Sequence, residues 1–214
     1  MTVHSDAPQL FEIVEERYFS PHHLLLRTAG VALHEAHRTV YTYSAPMRES
    51  HTMSAILMSA LSVEALCNAI GFRLIEGWED YEQSKPWMKL RVLCKELHLP
   101  FDKGAEPWQS LKDLLEFRNK VAHGKSKWLK RVRSGLDQAA LDAALAKHEP
   151  SGPPAEWEAK LTLVEAGKAV ALARRVETLL TDALPEDLKL GIVVEGWIMK
   201  TQEIGVAGNQ SPAT

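Results

Sequence analysis

Arg118, Asn119 and His123 lie close together in the stretch EFRNKVAHGKSKWLKR, Glu116 to Arg131. An arginine is a permanent cation whose planar fork meets a carboxylate or a phosphate at two points. A histidine titrates near neutrality and serves as a general acid or base. The surrounding charge is lopsided. Between Arg118 and Gly135 there are seven Lys or Arg residues and no acid, and the rest of the chain carries 18 basic against 28 acidic residues. A concentrated basic segment on an acidic body reads either as a local anion site or as a solvated lysine-rich loop.

The helix beneath these residues sharpens the question. Stepping about 100° per residue from Pro107 to His123 places Trp108, Leu111, Leu114, Leu115, Phe117, Val121 and Ala122 on one half of the wheel. Lys112, Asp113, Glu116 and Lys120 fall on the other half. Arg118 lands near the centre of the apolar half. Asn119 and His123, four apart, stack at its edge, and Gly124 follows where helices end. Burying an arginine unpaired costs several kcal/mol, on the order of a lost charge–solvent interaction. Arg118 must therefore meet a carboxylate, face an interface, or bind an anion. Glu64 is the natural carboxylate, being the only charged residue between Ala55 and Phe72, with Asn68 on the same face. His123 also reads simply as a helix-end histidine placed by the dipole.

The rest of the chain is organised to hold such a helix. Pro21, Pro46, Pro86, Pro100, Pro107, Pro150 and Pro185 punctuate periodic segments. Helices are expected at about 22–43, 49–77, 86–98, 107–123, 136–147 and 163–183. The second is apolar nearly all round and should be the central buried helix. The last opens on Thr162-Leu163-Val164-Glu165, a capping-box pattern. Alternating strand patterns are nearly absent, and Lys189 to Met199 alone reads as a strand or a short terminal helix. Residues 201–214 read as a disordered tail. The expectation is an all-α chain, a helical bundle forming one domain over 1–200.

The composition, 45% hydrophobic, excludes a disordered chain. No uninterrupted apolar run of about 18 residues suggests a membrane span, and no secretory signal opens the chain, so a soluble cytoplasmic protein is expected. Cys67 and Cys94 sit in apolar surroundings and read as reduced core residues.

RNKVAH, Arg118 to His123, resembles the R-x4–6-H motif of the HEPN superfamily (higher eukaryote and prokaryote nucleotide-binding domains). Asn119 supplies the polar residue usual after the arginine. LLEFRNKVAHG resembles the family's motif-bearing helix, and SVEALCNAIG the earlier core helix, where a Glu and an Asn recur one turn apart. The resemblance covers about residues 49–183 and implies an α-helical bundle of that type, with the helix around Leu24–Tyr43 as an extra N-terminal one, that dimerises with two motif helices facing across a composite cleft. Many such proteins are metal-independent ribonucleases, often toxins or antiviral effectors with an antitoxin partner; others are inactive binding modules for a protein or nucleotide.

On that resemblance the substrate is RNA, which carries its own nucleophile in the 2′-hydroxyl. Arg118 would hold the phosphate, and His123 would act as acid or base, worth roughly 10²–10⁴-fold. Asn119 would orient His123 or hold a phosphate oxygen, and Glu64 and Asn68 would support them. A twofold dimer would bring two sets together. Lys120, Lys125, Lys127, Lys130, Arg131 and Arg133 would track the RNA backbone. Trp128 would stack on a base or anchor its loop. No cofactor and no metal is expected.

Three tempting patterns fail. HGKS lacks the glycine a phosphate loop needs five residues earlier, where Asn119 stands, and it follows a helix. HEAH, His34 to His37, spaces its histidines three apart where a zinc protease helix needs four. His22-His23 at a helix start reads as capping or solvent-facing.

Overall fold

In the computed structural model, residues 9–39, 45–126, 128–130, 132, 134–146, 155–193 and 197–206 are described. The helices follow the periodicity: α1 (Pro21–Arg38), α2 (Ala45–Leu74), α3 (Glu79–Glu82), α4 (Pro86–Glu96), α5 (Trp108–Ala122), α6 (Gln138–Ala146), α7 (Leu163–Asp182) and α8 (Glu186–Lys189). Prolines begin several of them, with Pro21 and Pro86 in the first turn and Pro107 and Pro185 as caps. There the missing N–H removes a donor that had no partner anyway. At α7 the Thr162 hydroxyl accepts from the Glu165 N–H at 3.2 Å, which is half of the expected capping box. The Glu165 carboxylate turns to Lys168 instead, at 2.8 Å.

The chain divides into two compact units, Ser20–Leu184 and a second built from Met1–Phe19 with Pro185–Thr214.

Within the helical unit, α2 is the axis, packing against α1, α7, α4 and α5. By length and composition Pro46–Leu74 would cross a membrane, yet 61% of its apolar window is buried inside the protein, which fits a core helix. Ala29, Ala32 and Ala36 of α1 and Ala166, Ala169 and Ala173 of α7 are buried. Small side chains there let the helices approach α2 closely. At the end of α2 the fully buried Trp78 lies flat on Gly71, in the space a Cβ would take. Gly71→Ala should therefore destabilise the unit by about 1–3 kcal/mol through overpacking; a urea midpoint equal to wild type would refute this.

Cys67 and Cys94 are free and buried, as expected. Burial pushes the Cys67 thiol far up, with Cys94 adding to the effect, and lifts Cys94 to about 12. In the unfolded chain both thiols ionise near 9. A raised folded pKa contributes stability that is present below the unfolded pKa and is lost as pH climbs through the folded one. The helical unit should thus weaken progressively above about pH 9. Both thiols should resist a thiol reagent in the native protein and react promptly in denaturant. Fast native labelling would contradict their placement.

The second unit departs from two expectations: strand is not confined to Lys189–Met199, of which Trp197–Met199 are strand and 194–196 lie outside the described residues, and 201–206 are not a disordered tail. Strand β1 (Gln9–Arg17) pairs antiparallel with β2 (Trp197–Val206), from Gln9 opposite Val206 to Arg17 opposite Trp197. An irregularity falls between Leu10 and Phe11. The segment that looked like a disordered tail thus forms strand through Val206, while 207–214 lie outside the described residues. Lys200 Nζ reaches Glu16 Oε2 across the ribbon at 3.4 Å, and the Tyr18 ring closes on Gly191, whose φ of +86° a side chain would strain.

Candidate functional site

The motif helix α5 is pinned at its start by aromatic packing. The Trp108 indole N–H donates to the Pro100 carbonyl at 3.0 Å, and Phe101 bridges Trp108 and Trp87, with ring centroids 5.3 and 4.9 Å apart. Trp108, Leu111, Leu114, Leu115 and Phe117 are buried as the wheel required. Its last turn departs from the wheel: Val121 is half-buried and Ala122 exposed. The helix thus leaves the core just where Asn119 and His123 stand.

Arg118 makes the turn from core to surface. One terminal nitrogen is ion-paired to Glu64 Oε2 of α2, and the other donates to Asn119 Oδ1 at 2.8 Å. The Arg118 and Glu64 side chains are 22% and 21% exposed, so the pair is not sealed. The expected carboxylate partner is confirmed. A second cation went unforeseen: Lys89 of α4, 1% exposed, places Nζ 3.9 Å from Glu64 Oε1. One carboxylate between two cations leaves a formal charge of +1. The signal for Lys89 was available, since it falls on the stripe with Leu90, Leu93 and Cys94, all buried. A lysine on such a stripe demands a carboxylate. Asn68, one turn beyond Glu64, keeps Oδ1 buried and without a hydrogen bond among the described residues.

Asn119 and His123 are exposed. His123 closes the helix through its backbone, donating its N–H to the Asn119 carbonyl at 3.0 Å, while its imidazole makes no hydrogen bond or ion pair among the described residues. Gly124 is not left-handed. It leaves room instead, because a Cβ there would lie 3.3 Å from the Lys120 carbonyl oxygen. The structure thus brings Glu64, Lys89, Arg118 and Asn119 into one connected set, with His123 a turn beyond Asn119 on the open side.

The basic run is less uniform than its sequence. Lys120 is engaged by Glu156 at 2.9 Å, a hydrogen bond that raises the ammonium above its usual range. Lys125 and Lys130 are exposed without ion pairs among the described residues. Lys127, Arg131 and Arg133 lie outside the described residues. Trp128 is fully exposed, which overturns its reading as a hydrophobic anchor. Val132 and, on α6, Leu145 are likewise well exposed, and no residue of α6 is buried.

A cavity of about 480 Å³ opens between α2, α5 and α7, touching Asp113, Phe117, Lys168 and Arg175. Its wall includes none of Glu64, Arg118, Asn119 or His123. Comparisons with protein-family models, with curated proteins and with solved structures gave no match for this chain.

Proposed function

We propose that the chain is a metal-independent endoribonuclease of the HEPN type that works as a homodimer, with Arg118, Asn119 and His123 as its catalytic set. The observation that carries this reading is the division of labour along one helix end. Arg118 is oriented by Glu64 yet open to solvent, Asn119 lies beside it, and the His123 imidazole is exposed and uncommitted. Two of the five guanidinium N–H groups serve Glu64 and Asn119, which leaves donors for a phosphate oxygen. The net positive charge of the Glu64 cluster, with Lys125 and Lys130 nearby in sequence, favours a polyanion.

The 2′-hydroxyl attacks the adjacent phosphorus as the P–O5′ bond breaks; His123 takes the hydroxyl proton and returns one to the departing 5′-oxygen, so one fragment ends in a 2′,3′-cyclic phosphate and the other in a 5′-hydroxyl. The exposed Trp128 supplies a stacking face. The unburied apolar side chains of α6 and the loop before it suit contact with a second copy, or with an antitoxin that silences a toxin or defence effector.

A second reading has one observation in its favour: Arg118 is already paired to Glu64. On it the bundle is a silent module that binds a protein or nucleotide. Incubating the purified full chain with total RNA in EDTA separates the two. The nuclease reading requires cleavage to cyclic-phosphate ends that declines steeply with salt, in a dimeric protein. Intact RNA with a folded dimer gives the second reading the field.

A further inference from the structure

His22 and His23 were expected to cap a helix or face solvent. They do neither. His22 is 1% exposed and His23 25%, and both face Glu177 of α7, itself 25% exposed. His22 Nε2 and His23 Nδ1 each lie 3.7 Å from Glu177 Oε1. One donor atom from each of the three residues lies within 4.8 Å of the other two. The imidazole centroids are 3.8 Å apart.

At 3.7 Å the imidazole–carboxylate pairs are too long for hydrogen bonds. They are close to the spacing of donors around one ion. Ligands about 2.0–2.1 Å from a tetrahedral zinc are about 3.4 Å from one another. Small rotamer adjustments would complete the approach. The orientation of His22 is also set from behind, because the Ser20 hydroxyl is hydrogen-bonded to its Nδ1. With the proton on Nδ1, Nε2, which lies 3.7 Å from Glu177 Oε1, carries the ring's lone pair, the arrangement in which an outer partner fixes a metal-binding histidine. Two imidazoles and one carboxylate make a borderline donor set, suited to zinc and to neighbouring late first-row ions and ill-suited to calcium or magnesium.

We propose that His22, His23 and Glu177 form a zinc site joining the start of α1 to α7. The fourth position faces the cavity of about 680 Å³ that His23 and Glu177 share with Arg27, His34 and Arg174. His34 stands three turns along α1 from His23, beyond first-sphere reach. Water or a small anion therefore completes the ion, and the two guanidiniums favour an anion. The site shares no residue with the α5 motif, so zinc binding and RNA cleavage stand or fall separately.

The test uses the full chain stripped by chelator and titrated with zinc chloride, then with cobalt(II). One zinc per chain is expected, with a rise in thermal midpoint and tetrahedral cobalt absorption. His23→Ala and Glu177→Gln, both at half-buried positions, should each weaken binding at least tenfold, whereas His34→Ala binds as the parent does. If folded His23→Ala and Glu177→Gln keep the parent's zinc affinity, or if the parent takes up no stoichiometric zinc, the proposal is overturned.

Discussion

If the proposed nuclease activity holds, replacing His123 by alanine should lower RNA cleavage by about 10²–10⁴-fold and leave the fold unchanged. The size follows from the role, since general acid–base catalysis contributes that much and no other exposed imidazole neighbours Arg118 on α5. The selectivity follows from the surroundings. The His123 side chain is exposed and makes no bond among the described residues, and its backbone N–H, which closes the helix onto the Asn119 carbonyl, survives in alanine. Circular dichroism and the thermal midpoint should therefore match the parent while hydrolysis of a fluorogenic RNA collapses. Arg118→Lys makes a useful companion. It keeps the charge beside Glu64 but not the two-point fork, so cleavage falls while stability is largely retained. Parental cleavage by a folded His123→Ala protein would remove the nuclease proposal at its centre.

Glu64→Ala should be the most destabilising single change among these residues, by about 3 kcal/mol, because removing one member of a buried ion set strands the others. Lys89 is the reason. It is 1% exposed, and Glu64 is its ion-pair partner among the described residues. Arg118, at 22% exposed, can turn to water, but Lys89 cannot. In a chain of this size the loss should lower the thermal midpoint by about 10 °C. The contrast is Lys89→Met. It removes the buried cation, fills the same volume with apolar atoms, and leaves the Glu64–Arg118 pair intact, so it should be near neutral or stabilising. Equal urea midpoints for Glu64→Ala and the parent would show that the cluster contributes nothing to folding. A large loss in Lys89→Met would show that the lysine is required for more than pairing with Glu64.

The helices were legible because their physics is local. Six expected spans match α1, α2, α4, α5, α6 and α7 to within a few residues at most ends. Proline at a first turn, an apolar stripe at 3.6-residue spacing and a threonine cap all act within one or two turns. The same locality let Arg118 be placed on an apolar face and Glu64 be named as its partner, since a lone charge in an apolar run has few choices. The wheel overreached only at the end of α5, where Val121 and Ala122 stay out of the core. Periodicity says which residues share a face, not how far the neighbouring helices extend to cover it.

What remained hidden depends on contacts between distant parts of the chain. β1 reads weakly as a strand because the residues that pair with it stand at the opposite end, Trp197 to Val206, and a ribbon closed over so long a separation leaves no local pattern. Lys89 joined the Glu64 cluster only when α4 packed on α2. The His22–His23 pair read as a helix start until α7 brought Glu177 beside it. The helices and their buried faces could thus be read from the chain alone, because each follows from neighbours within a turn or two, and Glu64 could be named as the candidate carboxylate for Arg118, because it is the lone charge in its apolar run. Tertiary structure alone decided the terminal ribbon, the second cation on Glu64 and the convergence at Glu177, because side chains remote in sequence meet there only after the helices have packed.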